Sequence, residues 1–172
     1  MSLRPSKCYT KVHRAYTRQS QRRPRKSYIK GVPRAKITEF ELGKKGKYDK
    51  NVFLISNQAI QIRHNAMEAA RVTIVQSLEK KLGKNVNFFM KIRVFPHHVL
   101  RENALATGAG ADRYQQGMRQ SFGKPIGTAA QVKKNQKVVE IRINTPSLQI
   151  VKKALKNAML KLPGQYRILV ED

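Results

Sequence analysis

The groups best suited to bond-making in this sequence are few: His13, His64, His97, His98, Cys8 and ten Asp+Glu side chains. His97 and His98 are neighbours. On an extended strand they face opposite sides, which makes a poor chelating pair and favours packing or a backbone contact. No HExxH spacing is present, and His64 falls four after Ile60 on what reads as a half-buried helix face. Glu102 and Asp112 share a glycine-bearing stretch, and spacing alone leaves a nuclease-like carboxylate pair open. Two catalytic metal ions want more ligands than this, so ion pairs with Arg101, Arg113 or Arg119 are the plainer reading. Cys8 stands beside Lys7 with no base partner. A lone cysteine excludes an internal disulfide and a multi-cysteine metal site, and it fits a reducing compartment. The expectation is no catalytic residue, no metal and no cofactor.

The string Gly108-Ala109-Gly110-Ala111-Asp112-Arg113 has part of the look of a phosphate loop. A dinucleotide site needs a third glycine and a hydrophobic strand leading directly into the motif. Both are missing, and so is a Walker lysine.

Charge says more than any motif. The 172 residues carry 36 Lys+Arg against 10 Asp+Glu, a formal net charge of +26. Small soluble domains usually carry a net charge of magnitude about 2–8. An excess this large repels itself unless a polyanion neutralises it. Nucleic acid can do that, and a small acidic metabolite cannot. A membrane surface would call for an amphipathic helix with an apolar face, which the most basic segment lacks. No run reaches the roughly 18 apolar residues of a membrane span. The basic N-terminus is not followed by an apolar h-region, so no secretory signal is expected.

That basic segment is residues 1–36, with 12 Lys+Arg and no carboxylate before Glu39. Its large aliphatics are widely spaced, and Pro5, Pro24 and Pro33 discourage a long helix. Alone it cannot bury enough apolar surface to offset its ordering entropy. Tyr9, Tyr16 and Tyr28 are interleaved with Arg14, Arg18, Arg22, Arg23, Arg25 and Lys26. Guanidinium forks suit phosphates, and free rings would stack on bases or sugars.

From residue 36 the pattern becomes globular, with 40% hydrophobic residues in the chain as a whole. Alternation predicts strands over 36–42 and 86–95, and short apolar runs predict strands over 51–55, 127–132, 138–143 and 166–170. Ser56 reads as the cap of a helix over 57–82, with Gly83 as its stop. Thr145-Pro146 opens a second amphipathic helix, ended by Pro163-Gly164. The order is strand-strand-helix-strand, a long insertion, then the same again. The expected fold class is α+β, a sandwich of largely antiparallel strands with two main helices. Residues 1–36 are expected to be a basic RNA-binding arm, and 37–172 a single domain in which 101–125 form a long functional loop. Loops longer than about 12–15 residues are usually functional or disordered. This one mixes glycines with Arg101, Arg113, Arg119 and Lys124, which suits close approach to an anionic partner.

The stretch FPHHVLRENALATGAGADRYQQGMRQSFGKPIGTAAQV (95–132) closely resembles a universal ribosomal protein family. The family is called L-ten-e in archaea and eukaryotes and L-sixteen in bacteria. The opening RPSKCYTKVHRAYTRQSQRRPRKSYIKGVPRAKI (4–37) and the segment SNQAIQIRHNAMEAARVTIVQSLEKKLG resemble the same family. The chain lacks the longer tail of eukaryotic members, so an archaeal source is expected. The resemblance implies an α/β-hammerhead fold and a structural, non-enzymatic place in the large subunit of cytoplasmic ribosomes. Implied partners are large-subunit rRNA near the base of the central protuberance, 5S rRNA as a further candidate, tRNA, and neighbouring ribosomal proteins. Neither a membrane nor a homo-oligomer is implied. Arg4, Lys7, Lys11, Arg14, Arg18, Arg22, Arg23, Arg25, Lys26 and Arg34 would contact rRNA. The insertion would point toward the peptidyl-transferase centre and the tRNAs. Thr107, Gly108, Ala109, Gly110, Ala111, Asp112 and Arg113 would lie in its tip, with Arg101 and Arg119 at the stems.

Two other readings make different demands. A free-standing RNA-modifying enzyme needs a clustered catalytic set. A DNA-compacting protein would bind duplex DNA as tightly as structured rRNA.

Overall fold

The computed structural model describes residues 4–17, 29–83, 87–106, 108–115 and 117–171. Their strands are β1 (Glu41–Gly43), β2 (Lys50–Ser56), β3 (Ile60–Arg63), β4 (Phe89–Ile92), β5 (His98–Glu102), β6 (Lys124–Val132), β7 (Lys137–Ile143) and β8 (Tyr166–Glu171). The two α-helices are α1 (His64–Leu82) and α2 (Leu148–Met159). A five-stranded sheet has the order β1-β4-β7-β2-β8, and a three-stranded sheet the order β3-β6-β5. Every pairing is antiparallel. The α+β class expected from the sequence is the one found.

The two sheets share a ribbon. β2 pairs with β7 in the large sheet, and β3 pairs with β6 in the small one. The chain passes from β2 to β3 and from β6 to β7 at one corner. There Ser56 N–H donates to Gln136 O at 3.1 Å, and Asn135 N–H donates to Ser56 O at 2.8 Å. Ser56 is fully buried. Its hydroxyl donates to Gln58 O at 2.7 Å rather than capping a helix.

Both helices pack into one core with the two sheets. Met67, Ala70, Ile74 and Leu78 recur at helical spacing on α1, and Val151, Ala154, Leu155 and Ala158 on α2. They meet Val52, Leu54, Met90 and Ile141 of the large sheet and Ile62, Ala130 and Val132 of the small one. Leu54, Ile74, Met90 and Leu155 are fully buried, where truncation to Ala costs about 2–5 kcal/mol. Gly83 closes α1, its N–H donating to Glu79 O at 3.0 Å. Asp49 Oδ2 accepts the Thr145 N–H at 3.2 Å just ahead of α2.

Several boundaries differ from the sequence pattern: the strand expected over 86–95 is only Phe89–Ile92, and the second helix ends at Met159, ahead of Pro163-Gly164. The first helix starts at His64, not at 57, because residues 60–63 are the strand β3. Ile60 and Ile62 fit a helical stripe and a strand equally well, and pairing with β6 decides the matter. The first strand is only Glu41–Gly43, with residue 40 joining through Ile92 N–H to Phe40 O at 2.8 Å. The long insertion shrinks to residues 103–123, since β5 takes its first residues and β6 its last.

Candidate nucleic-acid interface

The interface begins with three polar side chains on one face of the small sheet. Gln61 on β3 is the cross-strand partner of Gln131 on β6, so both side chains share a face. Ala129 lies two residues before Gln131, and His98 on β5 pairs with it. Gln61, Gln131 and His98 therefore form a row across all three strands.

The N-terminal segment lies across that row like a strap. Gln61 N–H donates to Thr10 O at 3.0 Å and its Nε2 donates to Tyr9 O at 2.8 Å. Gln131 Nε2 donates to His13 O at 2.8 Å and to Gln61 Oε1 at 3.1 Å. At the far edge Tyr16 N–H donates to His98 Nδ1 at 2.9 Å, and Val99 N–H donates to Tyr16 O at 3.1 Å. Three strands span roughly 10 Å at strand spacing, and six residues of extended chain cover that with ease. The strap spends its backbone on the protein. Lys7, Lys11 and Arg14 are left exposed.

Two of the arm's rings are engaged by the protein. The Tyr9 hydroxyl donates to Glu102 Oε2 at 3.2 Å, and its ring faces the Arg63 guanidinium at 5.3 Å. Tyr16 packs edge-on to Phe122 with ring centroids 5.8 Å apart. The Arg101 guanidinium sits over both rings, 4.1 Å from the Tyr16 centroid and 3.8 Å from that of Phe122, a cation–π arrangement. Arg101 also donates to Phe122 O. Rings free to stack on bases were expected here, and the docked arm uses these two internally. Tyr28 lies outside the described residues, as do Arg18, Arg22, Arg23, Arg25 and Lys26.

Glu102 finds a different partner from the three arginines considered in the sequence. It pairs with Arg4 of the arm, whose carbonyl accepts Arg63 Nη1 at 3.0 Å. Burial and the neighbouring Glu102 charge raise the Tyr9 hydroxyl above its ordinary pKa. Arg34 is exposed further along.

The loop 103–123 leaves from the end of β5. Gln115 staples its base: Nε2 donates to Ala104 O at 3.0 Å, and Oε1 accepts the Ala106 N–H. A 3-10 turn, Ala111–Arg113, follows Gly110. Gly108, Ala109, Asp112, Arg113 and Arg119 are exposed, and Gly110 and Ala111 half-buried. Thr107 lies outside the described residues. Leu105, Tyr114, Met118 and Phe122 also expose large apolar surface, 46%, 78%, 65% and 46% respectively.

The two adjacent histidines do face opposite ways. His98 is buried and His97 exposed, its ring 4.6 Å from that of Phe95. Burial first, then the charges of Arg101 and His13, push His98 below the ordinary imidazole pKa. His64 is pushed down by burial, Lys36 and Arg63, and its Nδ1 accepts the Lys36 N–H at 3.0 Å. Among the described residues no group of three or more His, Cys, Asp or Glu could hold a metal. No helix among them is long and apolar enough to cross a membrane.

Many of the carboxylates are neutralised away from the strap. Glu140 lies between Arg93 at 2.5 Å and Arg142 at 2.7 Å, Glu41 between Lys45 and Lys91 at 2.7 Å each, and Glu171 by Lys137 at 2.8 Å. Glu68 holds Arg71 at 2.6 Å on α1. The fold thus sorts charge, with compensated pairs on the large sheet and α1, and a basic surface at the strap and loop.

Gln61, Gln131, Asn103 and Phe122 belong to this surface, and none was singled out in the sequence. The two glutamines carried a signal: each interrupts an apolar strand, between Ile60 and Ile62 and between Ala130 and Val132.

Fold and surface together define a strongly basic α+β protein whose N-terminal segment straps across its small sheet. The family model described as "Ribosomal protein L16p/L10e" matches residues 16–169. Proteins named large ribosomal subunit protein uL16 are similar over almost the full length. That of Staphylothermus marinus is 49% identical, covering 98% of this chain and 94% of its own. That of Saccharolobus solfataricus is 48% identical, covering 98% and 92%, and that of Hyperthermus butylicus 47%, covering 99% and 94%. The chain belongs to the L16p/L10e family of ribosomal proteins, structural components rather than enzymes.

Proposed function

We propose that the chain is a constituent of the large subunit of cytoplasmic ribosomes and binds large-subunit rRNA through its arm. Lys7, Lys11, Arg14 and Arg34 contact phosphates, as do Arg18, Arg22, Arg23, Arg25 and Lys26, which lie outside the described residues. Arg4 contributes from its pair with Glu102. The observation that carries this reading is the strap: backbone groups dock it on Gln61, Gln131 and His98, and Lys7, Lys11 and Arg14 stay exposed. Phosphate contacts of this kind position a protein on RNA and carry most of the affinity. The loop 103–123, with Gly108–Arg113 exposed or half-exposed at its far part, extends toward the peptidyl-transferase centre and the tRNAs. Neighbouring ribosomal proteins and 5S rRNA complete the partners proposed.

The test is competition binding of the purified chain to large-subunit rRNA and to duplex DNA of equal length. Preference for the rRNA, and co-sedimentation with large subunits in high salt, are expected. Equal affinity for both, with no association in high salt, would overturn the reading.

A further inference from the structure

The strap does not lie flat against the sheet along its whole length. Between it and the base of the loop is an open cleft of about 400 Å³, within the range of small-ligand sites. Lys11, Arg14 and Arg101 supply cations to its lining, Tyr16 and Phe122 supply rings, and no carboxylate among the described residues lines it.

The second observation is Asn103, which lines this cleft. Its Nδ2 is buried and has no hydrogen-bond acceptor among the described residues. Buried amide donors are nearly always paired, and each exception asks for a partner. Asn103 also lines the neighbouring cleft inside the loop, with Arg113, Arg119 and Phe122. The unmet donor therefore stands where strap and loop meet.

We propose that this cleft receives one unstacked nucleotide of RNA. The inference rests on the rRNA-binding reading and adds a base-binding site to it. Single-stranded RNA is recognised by bases splayed out onto aromatic and guanidinium planes and hydrogen-bonded at their edges. Phe122, 46% exposed, and the Arg101 guanidinium stacked on it at 3.8 Å provide the planes. Asn103 Nδ2 provides a donor for a carbonyl oxygen or ring nitrogen of the base. Lys11 and Arg14 on the strap meet the flanking phosphate. A bare phosphate would leave the Asn103 amide and the ring cluster unused.

The test titrates the full-length protein with AMP, GMP, CMP and UMP, and with ribose 5-phosphate, which keeps the phosphate and lacks the base. NMR reads the Asn103 side-chain amide and the Tyr16 ring. At least one nucleotide is expected to shift both and to bind about fivefold or more tightly than ribose 5-phosphate. Asn103→Leu should weaken that nucleotide about fivefold and leave the salt dependence of rRNA binding unchanged. Equal binding of ribose 5-phosphate, no response to any nucleotide, or shifts that bypass Asn103 and Tyr16 would each overturn the pocket. If Asn103→Leu fails to fold, the wild-type comparison decides alone. A wild-type chain that binds rRNA yet shows no base preference loses the pocket and keeps its ribosomal reading. One that ignores rRNA altogether loses both.

Discussion

His98 Nδ1 accepts the backbone N–H of Tyr16 at 2.9 Å, so an uncharged imidazole holds the far end of the basic strap to the small sheet. The accepting nitrogen must carry no proton, which leaves the hydrogen on Nε2. Burial keeps the ring in that form, helped by the charges of Arg101 and His13.

Strap docking should therefore weaken in mild acid. The folded pKa of His98 is lowered, so below about pH 6.5 the released state binds more protons than the docked one. Docking is complete above that value and is lost as pH falls through the folded pKa. Amide exchange at Val99 and Tyr16, corrected for intrinsic rates, should show less protection at pH 5.5 than at 7.5. His98→Leu should lower protection by about 1 kcal/mol and abolish the pH effect. Unchanged protection across that range would sink the idea.

Association with rRNA should be steeply salt-dependent. If half of the 12 arm cations each neutralise a phosphate, the arm alone gives a slope of about −4 in log affinity against log salt, at roughly −0.7 per contact. Filter binding from low to moderate salt measures it. Replacing Lys11 and Arg14 by Gln should reduce the slope by about 1.4. A flat dependence would exclude an electrostatic arm.

Removing the loop should spare the fold. The described residues among 105–115 lie outside every strand and α-helix, so deletion of 105–115 should leave a cooperative melting transition and rRNA binding while impairing translation. Thermal melting and a translation assay with reconstituted subunits test both halves. A lost transition would show that the loop supports the core.

Two glycines at positive φ should respond differently to alanine. At Gly43 (φ +86°) a Cβ would stand 2.0 Å from Phe88 O, whereas at Gly83 (φ +79°) it would meet open space. Gly83→Ala carries backbone strain alone, about 1–2 kcal/mol. Gly43→Ala adds a collision with the Phe88 carbonyl just ahead of β4 and should cost about 3 kcal/mol or more. Chemical denaturation ranks them, and equal costs would contradict the packing at β1–β4.

Acid should erode the large sheet as well. Burial raises the Glu140 carboxyl, but Arg142 and Arg93 outweigh it and bring it below the ordinary value. Lys45 and Lys91 hold Glu41 down to about 2. Both folded pKa values are depressed, so their stabilisation is present above about pH 4.5 and fades as pH falls through the folded values. Glu140→Gln should cost about 1–2 kcal/mol at pH 7, less than a fully buried pair because both arginines are partly exposed. The cost should shrink toward pH 3 in denaturant titrations.

Much of this was legible in the residues. The α2 stripe, the apolar β2 and β7, and the opposed His97 and His98 follow from spacing. The strand β3 did not, since Ile60 and Ile62 satisfy both periods and only pairing with β6 chooses between them. β5 was hidden because five residues ending in Arg101 and Glu102 have no clear alternation. The strap was least visible. Its anchors are backbone groups meeting two glutamines and a histidine, and such contacts leave no periodic trace in the sequence. The arm's cationic character was legible, and the face it lies on was not.

The shared corner at Ser56 and Asn135 has a mechanical meaning. The chain turns from β2 into β3 and from β6 into β7 at this same corner, so the two sheets are joined through one antiparallel pair on each side of it. Tension applied at the loop enters β5 and β6, turns the corner into β7, and reaches β2 and the C-terminal strand β8. A partner that grips the loop thus holds β5 and β6 directly, and the large sheet through the corner at Ser56 and Asn135.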